Sequence, residues 1–501
     1  MEVLHRQQLI GGELLMCALL ELVIVRIAYR IDRGKQAPYL SAAAWAIVLG
    51  ILSGLLLSLI SKARAKDVGL DPQIIFFGLL PPIILEAGFT VKHRGFFANF
   101  WDSFLLGIVG TVLSTVGVAL ALYWLGRSPL FVTALSPAEA MQYGSLISAI
   151  DPIASQLVLR KSHVPSLLPE LVFGERSLNN AITVAIFNLC QERVQSGDTS
   201  MSFSNGMQML AELAGIGAGS LVLAAVNSDD ALKQHPTYEI SILLLFAYAS
   251  YLAGEFVHLS GHVAVFFSGA FIRHYHMHNV SRASATTFKH LLRTMAFLAE
   301  NFIFIYLGLS LFAYSDTFKW EWRFIIGSLV VCLIMRACTV FPLCYVAGLW
   351  RVHAIPVQYM IVIWLSGLRG AIAFALSLNV RTLESDPSHA AIIRSSTLFT
   401  VLCSTILFTL SMRPLVRCLG LAHTCETHAH LRRNPDEEQA LLLSSSSEEE
   451  AAWIRDAWTD FDQRHLQPYF GHGGDCREAT AHAPRDGQQN EPQQQEQQPH
   501  D

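Results

Sequence analysis

Residues 148–189 read SAIDPIASQLVLRKSHVPSLLPELVFGERSLNNAITVAIFNL. The stretch is apolar, yet Asp151, Glu175 and Arg176 stand among its Ile, Val, Leu and Phe, and Pro152 and Pro169 interrupt its helical pattern. A charge at membrane depth costs at least about 2.5–3.5 kcal/mol, so it is kept only where partners or water receive it. Secondary transporters build their ion sites from broken helices that carry ionisable groups at mid-membrane. The stretch therefore predicts a helical membrane protein with a charged centre.

The rest of the chain agrees. Of 501 residues, 52% are hydrophobic and only 15% charged, with a mean hydropathy of +0.39. Long apolar runs fill the first four-fifths of the chain, and charge is concentrated at the end. This pattern predicts an all-α polytopic membrane protein with about thirteen spans between residues 9 and 412. The first run, from about Leu9 to Ala28, carries Glu13, Glu21 and Arg26 and lacks a small-residue cleavage site, so it reads as a retained membrane helix. The expected division is a membrane domain over 1–415 and a polar, largely disordered cytoplasmic tail over 416–501. That tail contains LRRNPDEEQALLLSSSSEEE and ends QQNEPQQQEQQPHD, too polar to bury a core. One island within it, AWIRDAWTDFDQRHLQPYF (452–470), has enough aromatic residues to dock or form a short helix.

Several chemistries are argued against. The nine cysteines include no CxxC pair and lie mostly in apolar runs or the tail, which speaks against a disulfide framework or a zinc site. No HExxH or GxSxG motif supports a membrane-embedded enzyme. Neither a cofactor nor a nucleic-acid partner is expected.

The charged residues inside the apolar runs are the site candidates. Asp151 precedes a proline, so its helix is expected to break there and free the carbonyls of Ile150 and Asp151 for a cation; an Asp simply capping a helix is the competing reading. Glu86 follows FFGLLPPIIL, either as an ion or proton ligand or as a membrane-end carboxylate. Helical spacing puts Glu175 with Asn179 on one line and Arg176 with Asn180 on the next. Arg336 and Arg369 lie mid-span, and buried arginines need carboxylates, so a structural Glu175–Arg336 pair is expected. Arg369, in the Gly-rich SGLRG, reads as a fixed balancing charge. Glu300, flanked by apolar residues in AFLAENFIFIYLG, is expected to find a polar partner across helices, and Glu255 is a further buried candidate. The cluster His274, Tyr275, His276, Met277 and His278 reads as a cytosolic surface loop rather than a metal site. In the tail, Glu437 with Leu441 and Leu442 fits an acidic dileucine sorting pattern.

Taken in order, FFGLLPPIILEAGF (76–89), SAIDPIA (148–154), LVFGERSLNNA (171–181), LRTMAFLAENFIFIYLGLSLF (292–312), LIMRACTVFPLCY (333–345) and WLSGLRGAIAFALSL (364–378) resemble the eukaryotic sodium/hydrogen exchangers. The wording, together with FDQRHLQPYF in the tail, is closest to the endosomal/Golgi-type members. The resemblance implies inverted repeats, two discontinuous helices that cross at mid-membrane, a dimerisation domain and hence a homodimer, and exchange of Na+ or K+ for protons. It also implies a departure. The family pattern GESLLND ends in the carboxylate that alternately holds cation and proton; here Asn180 occupies that position, and Arg176 replaces the Ser after the Glu. Asp151, Asn179, Glu86, Glu175, Arg336 and Arg369 match the pattern. The expected function is monovalent cation/proton antiport, the alternative being a transport-silent relative that acts as a regulatory or dimerisation partner.

Overall fold

The computed structural model describes residues 2–421, apart from short connecting stretches and the longer segment 197–234. The described residues form helices and connections with no strand among them. In chain order the principal helices are α1 (Glu2–Arg33), α2 (Ala42–Ile60), α3 (Leu80–Thr90), α4 (Gly110–Leu125), α5 (Pro137–Ser148), α6 (Ile153–Lys161), α7 (Leu167–Ser196), α8 (Pro236–Phe256), α9 (Gly261–Phe271), α10 (Arg282–Ala313), α11 (Trp322–Leu349), α12 (Val357–Leu365), α13 (Ala371–Leu378), α14 (Pro387–Cys403) and α15 (Thr409–Cys418). Five-residue π-helical turns lead into α3, α4 and α15. Another follows α9. The apolar pattern also predicts a span at 207–226; that span, the sorting residues Glu437, Leu441 and Leu442, and the island 452–470 lie outside the described residues.

Among the described residues, six helical runs are long and apolar enough to cross a membrane by length and composition: Ala42–Leu59, Trp101–Leu125, Pro236–Phe256, Arg282–Phe312, Trp322–Leu349 and Ser388–Cys418. Helix α11 shows how such a run sorts its faces. Ile326, Val330 and Ile334 recur every four residues and are exposed, whereas Ser328, Cys332, Arg336 and Thr339 are buried. In lipid an apolar stripe has no reason to turn inward; packing instead gathers small and polar residues. The crossing of α2 and α10 is a second case. A Cβ on Gly50 would run into the Ile305 carbonyl, and one on Gly308 into the Ile47 carbonyl, so two glycines let the backbones meet.

The two helix breaks position everything that follows. Helix α5 starts with a full capping box, in which the Ser136 side chain accepts from the Glu139 N–H and the Glu139 carboxylate accepts from the Ser136 N–H. It ends at Ser148, where Ala149 turns to extended backbone, and α6 begins at Ile153. Pro152 has no N–H and disfavours helical geometry at Asp151, so the chain is out of the helix where the carboxylate sits. The second break runs from Ser366 to Gly370, between α12 and α13, with Gly370 in extended conformation before the first turn of α13. The breaks touch: the Arg369 Nη1 donates to the Ala149 carbonyl at 3.5 Å, and Gly370 packs directly on the Asp151 side chain.

The His274–His278 stretch corrects a sequence expectation. His278 lies outside the described residues, but 274–277 are helical, with the Ile272–His276 turn continuing α9, and His276 is fully buried. The polar letters suggested a surface loop, but the apolar residues of α9 carry the turn inward with them.

Candidate functional site

Around the two breaks the protein buries an unusual number of charges. Asp151 is 7% exposed, Arg176 9%, Glu175 2%, Arg336 4% and Arg369 3%. They divide into two groups.

The first is a closed ion pair. Arg336 Nη1 and Nη2 donate to the two carboxylate oxygens of Glu175 at 2.5 and 2.9 Å, and Nη2 also donates to the Ile363 carbonyl at 3.2 Å. A two-pronged guanidinium–carboxylate contact is the strong form of such a pair. It ties α7 to α11 and holds the last turn of α12 at the edge of its break. Arg369 belongs to the frame as well. Besides Ala149 it donates through Nη2 and Nε to the Cys332 sulfur, at 2.9 and 3.3 Å, and its own N–H donates to the Ser404 hydroxyl. A fixed positive charge thus sits where the carbonyl end of α5 concentrates negative potential.

Asn179 completes the frame. Its Oδ1 accepts from the Ile150 N–H at 2.8 Å, while its Nδ2 donates to the Thr111 hydroxyl at 2.5 Å and the Ser148 carbonyl at 3.1 Å. One amide thereby satisfies backbone groups at the end of α5 and inside the break, groups that the interrupted helix leaves without partners. Sequence reasoning placed Asn179 at the ion; the structure uses its polar atoms as a clamp on Ile150 and Ser148. Thr111, the clamp's anchor on α4, was not singled out from the sequence, and a threonine in an apolar helix gives no signal that would have found it.

The second group is open. Arg176 Nη2 lies 3.3 Å from Asp151 Oδ1 and 3.8 Å from Glu300 Oε1. Glu300 reaches in from α10, so the Asp151 and Glu300 carboxyl groups approach the same guanidinium nitrogen. Glu86 on α3 is close enough to interact electrostatically with both Arg176 and Glu300, and Thr90 donates to it at 2.8 Å. Asn180 is 3% exposed, one turn beyond Arg176 on α7. Glu255 stands apart, receiving the Gly261 N–H at the start of α9. The structure therefore gathers Glu86, Asp151, Arg176 and Glu300 from four separate parts of the chain.

The chain as a whole is matched by known proteins. The model of the family described as sodium/hydrogen exchanger, transmembrane, matches residues 22–418. Human sodium/hydrogen exchanger 8 is 32% identical over 454 residues, covering 87% of this chain and 76% of the relative.

The chain belongs to the sodium/hydrogen exchanger family.

Other exchangers give the same picture. Sodium/hydrogen exchanger 9 of Equus caballus is 31% identical, covering 83% of this chain and 66% of its own length; sodium/hydrogen exchanger 4 of Arabidopsis thaliana is 31% identical, covering 77% and 76%. Among solved structures, the sodium proton antiporter MjNhaP1 of Methanocaldococcus jannaschii superposes with a TM-score of 0.59 at 16% identity, over 84% of this chain and 99% of that one. At that identity the likeness speaks for the fold. The exchanger family consists of secondary transporters, so this is an integral multi-pass membrane protein rather than an enzyme.

Proposed function

We propose that this exchanger is a secondary active antiporter, moving monovalent cations, Na+ or K+, against protons. The observation that carries the reading is the buried Asp151 carboxylate at the meeting of two helix breaks, framed by Asn179 and Arg369 and opened toward Arg176, Glu300 and Glu86. A carboxylate in that position binds either a cation or a proton, and the breaks let the halves on each side move while the site stays put. Asn180 and Arg176 motivated the alternative of a transport-silent partner; membership in the family and the named exchangers among its relatives favour antiport.

Finer points of the reading follow the sequence resemblance. The protein works as a homodimer in endosomal or Golgi membranes and acts on luminal or cytosolic pH and cation content. Residues 416–501 form a cytoplasmic tail, and Glu437 with Leu441 and Leu442 binds sorting adaptors. The central test is reconstitution in vesicles, with an internal pH dye and an imposed Na+ or K+ gradient. Wild type should move protons in response to either cation. Asp151→Asn should abolish this while the protein still inserts and elutes as a single species; unchanged flux in that variant would remove Asp151 from the site.

A further inference from the structure

The open charge cluster contains more than an ion site needs for scaffolding. Asn180 Oδ1 is a buried oxygen with no hydrogen-bond donor among the described residues, the buried Asp151 Oδ1 and Glu300 Oε1 meet Arg176 Nη2 only as ion-pair contacts at 3.3 and 3.8 Å without an aligned hydrogen bond, and the Arg176 Nε has no acceptor among them. Buried polar atoms left this way are costly unless something else satisfies them. The Asp151 and Glu300 carboxyls approach the same Arg176 nitrogen, and two ionised carboxylates, being acceptors only, can share a hydrogen bond only with a proton between them. A single proton on this pair satisfies an oxygen on each side, and a single monovalent cation held between the two carboxylates does the same.

The charge count points the same way. Glu175 and Arg336 cancel within their closed pair. Around the open cluster stand three carboxylates, Glu86, Asp151 and Glu300, and two guanidiniums, Arg176 and Arg369. With all five ionised, one negative charge remains unbalanced in a largely buried cluster, where an unpaired charge is disfavoured. One proton or one monovalent cation neutralises it; binding both would leave a positive excess. Mutual exclusion of the two is the requirement for exchange.

We infer that Glu300 and Asp151 together form the exchanging carboxylate pair of this chain, with Arg176 as a tethered counter-charge that an incoming cation must push aside. In this arrangement the proton leaves the Asp151–Glu300 pair as the cation enters between the same oxygens, and Asn180 Oδ1 supplies a neutral ligand where it can no longer supply a charge. Arg176 sets the affinity, because it competes with the cation for the same two carboxylates. This assignment rests on the antiport reading for its physiological meaning, though its proton and cation binding can be measured without transport.

Two measurements on the full chain test it. In weakly buffered detergent solution, adding NaCl or KCl to wild type should release one proton per protomer, and choline chloride should release none. Glu300→Gln should release none with any salt, and in vesicles its exchange should fall to about a tenth or less of wild type, as expected when a general proton carrier is removed. Glu300→Asp should keep both signals with a displaced pH profile, which separates proton exchange from mere structural support. Arg176→Gln should lower the cation KM by about tenfold or more, the effect of removing a like charge at contact range. A Glu300→Gln protein that releases its proton and exchanges like wild type, with unchanged KM and pH profile, overturns the assignment and leaves the antiport reading standing. Proton release without flux in wild type supports the pair and removes the antiport reading. Neither release nor flux in wild type overturns both.

Discussion

Glu175→Gln offers the most direct test of the frame that holds the site. The variant leaves the Arg336 guanidinium, 4% exposed, facing a neutral amide where it now meets two carboxylate oxygens. At the observed 2.5 and 2.9 Å and an effective dielectric near 20, the Coulomb attraction lost is about 6 kcal/mol. The amide oxygen can still accept one hydrogen bond and the Ile363 carbonyl still accepts from Nη2, so the net loss should fall in the range of about 3–5 kcal/mol typical of a broken buried pair. In detergent this should appear as a clearly lowered melting temperature, followed by fluorescence-detected size exclusion after heating. Arg336→Gln in the same background removes the stranded charge and should recover part of the loss, because a neutral amide pair of similar shape is cheaper to bury than one unpaired charge. The coupling is the decisive quantity. Losses in the double variant equal to the sum of the singles would show that the two residues do not act as a pair.

Further outcomes follow from close contacts elsewhere. Gly370→Ala would place a Cβ against the Asp151 side chain, so exchange in vesicles should drop by about tenfold or more with little change in yield, a misplacement of the reacting group rather than a loss of fold; normal kinetics would show that the second break can yield without moving Asp151. Gly50→Leu should separate α2 from α10 at the Ile305 carbonyl and lower the melting temperature in detergent, the cost of an overpacked crossing being about 1–3 kcal/mol; a wild-type melt would refute the close approach. Replacing Leu441 and Leu442 together with Ala should move the protein from endomembranes toward the cell surface, as scored by surface biotinylation, and an unchanged distribution would discard the dileucine signal.

The helices and their interruptions were legible in the sequence because each has a local cause. Apolar runs long enough to cross a bilayer define the spans, Pro152 removes a backbone donor beside Asp151, and the glycines of SGLRG loosen the second break. The Glu175–Arg336 pair was also within reach, since a buried arginine demands a carboxylate and few are available. Helical spacing alone, however, does not say where a long side chain reaches. The i to i+4 rule grouped Arg176 with Asn180, yet the long guanidinium extends away from its own helix to Asp151 and Glu300. Nothing local announces that Glu300, on a helix more than a hundred residues downstream, shares a site with Asp151, or that Asn179 is committed to a backbone clamp anchored on Thr111. Periodicity fixes which face of a helix a residue occupies; which faces then meet depends on helix crossings, and those are set by contacts such as Gly50 on Gly308 that lie far from the charges they bring together. The sequence thus determined that charge is buried in this membrane protein, and the tertiary structure alone decided which charges pair off and which are gathered into the open cluster.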